Sequence, residues 1–333
     1  MFKHCFLYLS VIFAFLFTSC GGGGDSTPAA PTEYQGVFKD ARVEGLKYST
    51  SSGRSGVTDV NGAYTYIAGD TVTFSVGDIV LGQTNATALV TPMSLVGVSD
   101  PANATVLNIA RFLQTLDDDN DSSVVSGITI TSAVSSKTSG VSINFEQSTS
   151  AFEADTNVLT AVLDLTNART SGPRSLVSSS EAEAHLRATM DDVFLQALHD
   201  YSGSSSNTLS KCTDPSQNRT TVASGTLSLN SYSSTSGGAT VSGSASFTSN
   251  VQGHTVREDF VFSGVAINFL GEISGSSTNS AYVDGSYSGS GSSSFTGMLN
   301  GDSISIKYPT VINRNMGYGI YCDVSGASIS VSR

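Results

Sequence analysis

The chain is poor in positive charge. It carries 16 Lys and Arg against 28 Asp and Glu, a formal net charge of −12 over 333 residues. Such a chain lacks the basic stripe that neutralises phosphates, which argues against nucleic acid as a partner. Charge of either sign is scarce at 13%, proline numbers 7, histidine 4 and cysteine 4, and tryptophan is absent. With 39% apolar residues and abundant Ser, Thr and Gly, this is an exported, strand-rich composition and not a disordered one. Few histidines leave few bases for a serine nucleophile. No Gly-x-Ser-x-Gly elbow occurs despite 33 glycines, and there is no His-Glu-x-x-His pair and no Gly-x-x-x-x-Gly-Lys loop.

Long apolar runs are missing too, apart from one near the start. In MFKHCFLYLSVIFAFLFTS, Lys3 gives a positive start and residues 6–17 are almost unbroken apolar sequence. That run is about a dozen residues, short of the roughly 20 that a helix needs to cross a bilayer core. A charged start, a short apolar core and small residues at its end predict an export signal over 1–19. Phe17-Thr18-Ser19-Cys20 resembles the lipobox of bacterial lipoproteins, with Phe17 where that family prefers Leu and Leu16 one place earlier. The resemblance implies cleavage before Cys20 and a diacylglyceryl (palmitate-type) group on its thiol. Each buried methylene contributes about 0.8 kcal/mol, and two or more acyl chains make the anchoring stable. Gly21 stands where the family's inner-membrane retention signal has Asp, so the resemblance implies a bacterial outer-membrane anchor, facing the periplasm or the cell surface. The alternative is an ordinary secretory signal with an incidental cysteine. Cys20 and the GGGGDSTPAAPTEYQ after it then read as the lipidated cysteine and a flexible tether over 20–35.

Cys5 leaves with the signal and Cys20 takes the lipid, so Cys212 and Cys322 remain as an even pair in a compartment that permits disulfides. A bridge between them is expected; two buried free thiols are the alternative. Neither has Cys-x-x-Cys spacing, so the role is structural. Closing a loop of about a hundred residues stabilises by up to about 4.7 kcal/mol on the chain-entropy model.

Residues 36–200 predict strands followed by helices. Thr58-Asp59-Val60-Asn61-Gly62-Ala63-Tyr64 places Asn-Gly between alternating residues, a hairpin signal. It resembles the T-D-x-N-G-x-Y/F signature of carboxypeptidase-regulatory-like and Cna-B-like β-sandwich modules, which space, stiffen or present other parts of surface proteins. Asp59 and Asn61 are read as turn formers. Asp100-Pro101 predicts a helix start, and Val106, Ile109, Ala110, Leu113 and Leu116 give one apolar face. The helix runs into LDDDND, where carboxylates crowd the negative end of a helix dipole. Asp117, Asp119 and Asp121 follow the D-x-D-x-D arrangement of calcium loops, so calcium is the expected cofactor if the cluster binds an ion. Ser122 and Ile128 depart from the EF-hand pattern, and a solvated turn is the alternative. The stretch from GVFKDA to NIARFLQTLDDDND also resembles a domain near the N-termini of Gram-negative surface lipoproteins of unknown activity. Thr156 is expected to cap one further helix, and Ser178 with Glu181 to form a capping box on another. On that last helix His185 and His199 lie about four turns apart, too far to share an ion.

Residues 201–211, rich in Ser and Gly, are expected as a linker, and 212–333 as an antiparallel domain of about eight strands, either barrel or sandwich. Ile304, Ile306 and Tyr308 alternate with Ser303, Ser305 and Lys307. His254 has Glu258 and Asp259 nearby, but a strand scatters those side chains over both faces. The fold class is therefore mainly β, with an α+β first domain. The expected function is a non-enzymatic, lipid-anchored envelope protein with a structural, adhesive or binding role, without catalytic or organic-cofactor residues. Its partners would be the membrane through the anchor and an envelope or surface protein or glycan. The alternatives are a small apolar ligand in a barrel lined by Phe260, Phe262 and Phe269, or an enzyme with no recognisable motif.

Overall fold

The computed structural model describes residues 31–121, 126–251, 253–317 and 320–333, except the side chains of 313–320. The signal region 1–19 and Cys20 lie outside the described residues. Thr32–Arg333 is one compact unit.

Its first part is a small two-sheet assembly. Strands β1 (Glu33–Phe38), β2 (Val43–Glu44), β3 (Lys47–Thr50), β4 (Ser55–Val57), β5 (Ala63–Ile67), β6 (Thr71–Val76), β7 (Ile79–Asn85) and β8 (Leu89–Val90) are short and turn-bounded. They form a three-stranded sheet β5-β1-β8 and a four-stranded sheet β4-β3-β6-β7, while β2 pairs with β9 (Ile128–Thr129). Phe38, Tyr48, Tyr64 and Phe74 interlock between the sheets with ring centroids 4.9–6.5 Å apart. The expected hairpin is corrected: β4 and β5 lie in different sheets, so the Asn-Gly turn is a corner that carries the chain from one sheet to the other. Thr58 donates to the Val43 carbonyl and accepts from the Leu46 amide, Asp59 Oδ1 accepts from the Asn61 and Ala63 amides, and Gly62 takes a positive φ.

Among the described residues six α-helices follow or intervene: α1 (Pro92–Val96), α2 (Ala104–Leu116), α3 (Ser132–Ser135), α4 (Thr149–Ala154), α5 (Thr156–Thr166) and α6 (Ser179–Gln196). Two expected starts shift. The α2 N-cap is Asn103, whose Oδ1 accepts from Thr105 and Val106, because Asp100 instead closes a turn onto the Ala102 amide. Asp155, not Thr156, caps α5. The Ser178–Glu181 capping box is present. Val106, Leu107 and Ala110 of α2 face α6 and the barrel, while Ile109, Phe112, Leu113 and Leu116 face the sheets. One helix thus joins two cores.

The remaining strands are long: β10 (Asp200–Ser210), β11 (Arg219–Thr235), β12 (Gly238–Val251), β13 (His254–Asn268), β14 (Glu272–Val283), β15 (Ser286–Asn300), β16 (Ser303–Lys307), β17 (Val311–Gly317) and β18 (Ile320–Ser332). They run in the order β10-β11-β12-β13-β14-β15-β16-β18, and β10 also pairs with β18, closing an eight-stranded antiparallel barrel. Barrel, and not sandwich, is the outcome. The stretch expected as a linker is corrected: 201–210 is the first barrel strand. Its Tyr201, Ser205 and Leu209 point inward, and Gly203 stays bare because a methyl there would strike the Ser330 carbonyl. Serine and glycine in this strand serve close strand contact and an outer face for water, not flexibility.

Inward residues are apolar toward one end and polar toward the other. Leu227, Val241, Phe262, Val265, Phe295 and Ile304 fill the first half, leaving a space of about 20 Å³. Each such side chain contributes about 1.5–3 kcal/mol by burial. A bulge at Ser263-Gly264 shifts the inward set from Phe260 and Phe262 to Val265 and Ile267. Outward residues are mostly serine and threonine, such as Ser242, Ser244, Ser274 and Thr296, the reverse of the apolar band by which a membrane barrel meets lipid. No described helix is long and apolar enough to cross a membrane.

Cys212 and Cys322 are joined, with Cα atoms 4.1 Å apart and a separation of 110 residues. The bond ties the β10–β11 connection to the start of β18, beside Leu209 and Val324. Cys322→Ser paired with Cys212→Ser is expected to lower unfolding stability by up to about 4.7 kcal/mol, read from denaturant midpoints with the native protein under non-reducing conditions. An unchanged midpoint would show that barrel closure alone sets the loop entropy.

Candidate functional site

The polar half of the barrel is a cup. Helix α6 seals the other end: its Leu186, Met190 and Phe194 join the barrel core, and Phe194 lies 6.2 Å from Phe269. Arg187 there donates to the Ser236 carbonyl at 2.8 Å and spans the Phe269 ring. At the opposite end the lumen holds a cavity of about 530 Å³, within the size range of small-molecule sites. Its wall combines Asn207, Thr221, Glu258 and Asn279 with Val251, Val256 and Ala281.

One side of the cup is split. β16 and β17 run in the same direction along one edge of β18, like a single strand interrupted at Tyr308-Pro309-Thr310. β16 pairs with Thr296–Asn300 of β15, whereas the described ladder of β17 is with β18. Proline has no amide hydrogen and a fixed φ, so the ladder to β15 stops at this point. A side recess of about 70 Å³, lined by Phe260, Ser293, Tyr308 and Pro309, opens along the seam. Tyr308 hydrogen-bonds Ser277 at 3.0 Å, and burial pushes its hydroxyl up to about 12, so it stays protonated.

The aromatic trio expected to line a ligand cavity is dispersed. Phe260 reaches the side recess, Phe262 belongs to the packed half, and Phe269 packs on α6. The histidines are dispersed as well. His254 Nδ1 lies 2.7 Å from Asp284 Oδ2 at the exposed rim, a partner thirty residues away that the neighbouring acids Glu258 and Asp259 had hidden. His199 stacks on Tyr201. His185 is buried, its Nε2 3.4 Å from Asp40 Oδ1. Asp40 is fully buried and accepts from Gln114; desolvation raises its carboxyl, opposed by His185 and Gln114. With Ala41 donating to Thr189 Oγ1, this cluster fastens the β1–β2 connection to α6.

The acidic turn carries its own countercharge. Asp117 is 2% exposed and accepts from the Thr129 amide; burial, opposed by that bond and aggravated by Asp119, raises it from 3.8 to about 6. Asp119 Oδ1 accepts from the Asp121 amide, and Asp118 from the Thr170 amide. The buried Arg169 donates to Asn120 and faces Asp117, Asp118 and Asp119, while Arg174 donates to the Gln114 carbonyl at the end of α2. Asp117 and Asp119 are thus brought together, with Asp121 held through its backbone. Among the described residues no three His, Cys, Asp or Glu side chains form a metal-binding group. The signal missed in the sequence is the pair of arginines fifty residues downstream.

No family model, curated protein or solved structure matches the chain.

Because Asp117 holds its proton more tightly folded than unfolded, its contribution to stability is fully present below pH 3.8 and lost as pH rises through about 6. Asp117→Asn keeps an acceptor for Thr129 and is expected to flatten the melting temperature between pH 4 and 7, gaining up to about 3 kcal/mol over the native chain at pH 7. A chelator should leave both curves in place; a fall with chelator would assign a cation to the turn.

Proposed function

We propose that the chain is a non-enzymatic, lipid-anchored protein of a bacterial outer membrane that binds a small molecule in the open half of its barrel. The one-ended cup carries this reading. Helix α6 and the packed apolar layer make a floor, and the 530 Å³ above it is walled by amides, hydroxyls and small apolar groups. A barrel serving only as a spacer gains nothing from an unfilled half, since unfilled volume forfeits packing. The mixed wall favours a ligand with polar groups over a wholly apolar one. The histidines support the non-enzymatic part: His185 is buried against Asp40, His199 is stacked on Tyr201, and His254 points to Asp284 at the solvent-washed rim.

The anchor rests on Phe17-Thr18-Ser19-Cys20, and the serine-clad exterior is consistent with a module held in water by a tether. Asp117, Asp119 and Asp121 are assigned a structural part in this reading, with Arg169 and Arg174 supplying positive charge beside the turn.

Metabolic labelling with an alkynyl fatty acid is expected to tag the chain, and Cys20→Ala to remove the tag; a tag that survives the substitution would move the attachment elsewhere. Native mass spectrometry of the chain taken gently from envelopes should show a non-covalent adduct. Ala281→Trp, which fills the cup, should lose it; an adduct retained in that variant would refute the cup.

A further inference from the structure

The chemistry of the cup narrows what it holds, on the reading of it as a binding site. Asn207, Thr221 and Asn279 are neutral groups that each both give and take hydrogen bonds. Between them Val251, Val256 and Ala281 supply small apolar patches. An acyl chain needs a dry channel, and the apolar half of the lumen is already filled to within about 20 Å³. A phosphate would meet one guanidinium in the wall, Arg219, already donating to Gln217 at 2.6 Å, with the Glu258 carboxylate in the same wall. A neutral molecule with several hydroxyls and small C–H faces suits both kinds of surface.

A second feature stands on the lip. The outer barrel face is mostly serine and threonine, yet Tyr287 is 62% exposed. Its ring lies 5.9 Å from that of Tyr282, which in turn carries the Arg257 guanidinium 4.3 Å over its face. Asp259 holds Arg257 at 3.1 Å, so the aromatic pair is braced. The ladder makes lip and cup contiguous: Ala281 pairs with Gly289 inside the cup, and the next pair toward the rim is Tyr282 with Tyr287. A bulge at Ser288 separates the two pairs and turns the ring outward. Sugar rings lay a C–H face on such an aromatic surface while their hydroxyls reach neighbouring polar groups.

We infer that the barrel is a carbohydrate receptor: the cup takes the terminal residue of a neutral glycan, and Tyr287 takes the sugar next to it. The two subsites predict a dependence on chain length, because a monosaccharide engages the cup alone.

The test is saturation-transfer NMR and calorimetry on the detergent-solubilised mature chain. The probes are glucose, galactose, mannose and N-acetylglucosamine with their linear trisaccharides. At least one series should bind, with the trisaccharide tighter. Tyr287→Ala should weaken the trisaccharide by about tenfold, the scale of one aromatic contact, and leave the monosaccharide unchanged. Ala281→Trp should abolish both, with circular dichroism and melting confirming that each variant folds. Sugar binding indifferent to both substitutions would overturn the assignment. If no sugar binds while the native adduct persists and is lost in Ala281→Trp, the glycan is refuted and the cup stands. If neither sugar nor adduct is found, both fall.

Discussion

When β10 hydrogen-bonds β18, the widest sheet of the molecule closes on itself except at the seam between β15 and β17, and almost every other feature follows from that ring. A closed ring has an inside whose width is set by eight strands, about enough for side chains to fill. Here they fill half. The apolar layer at Phe262 and Phe295 meets across the axis, whereas the next layers carry Ser205, Asn207, Thr221 and Asn279, too short or too polar to do so. The cup is the volume that this change of composition leaves, and the Pro309 interruption sets a separate small recess beside it.

The ring would have two open ends without α6. That helix is held from the barrel side by Phe194 and Arg187, and from the sheet side by His185, Thr189 and Asp192, which meet Asp40, Ala41 and Lys39 in turn. Three consecutive residues of one loop therefore address one helix. The buried charges elsewhere do similar work. Arg111, 2% exposed, donates to the carbonyls of Val177 and Thr149 and to Glu153, fastening α4 and the segment before α6 to α2. Removing one member of such a set leaves a buried partner unsatisfied, which is costlier than the bond itself is favourable. The first part of the chain is a frame that presents α6, and α6 is the floor.

Much of this could be read in the sequence where the signal is local. Alternation such as Ile304, Ile306 and Tyr308 gave strands; Ser178 with Glu181 gave a helix start; the even cysteine pair gave the crosslink. What escaped was set by distant groups. Residues 201–210 look like a linker because serine and glycine are common to loops and to tightly apposed strands, and only the Ser330 backbone beside Gly203 distinguishes them. The acidic turn shows its carboxylates in the sequence, whereas Arg169 and Arg174 reach it from far along the chain. His254 looks unpaired because Asp284 arrives from another hairpin. The cup itself has no motif, being spread over strands β10 to β15 and β18 with one to three residues from each. Barrel and sandwich share the same alternation, so the choice between them rested on a single pairing, first strand to last.

That pairing places Ser202 beside Ser332, so the barrel's chain enters and leaves at the sealed end. For the ring taken by itself, the backbone has no privileged beginning. A short bridge from residue 333 back to 200 would preserve every ladder, and the chain could be opened instead at the exposed turn beside Asp284. Sequence order in this barrel is a route of delivery, and the circle it builds keeps no memory of where the tracing began.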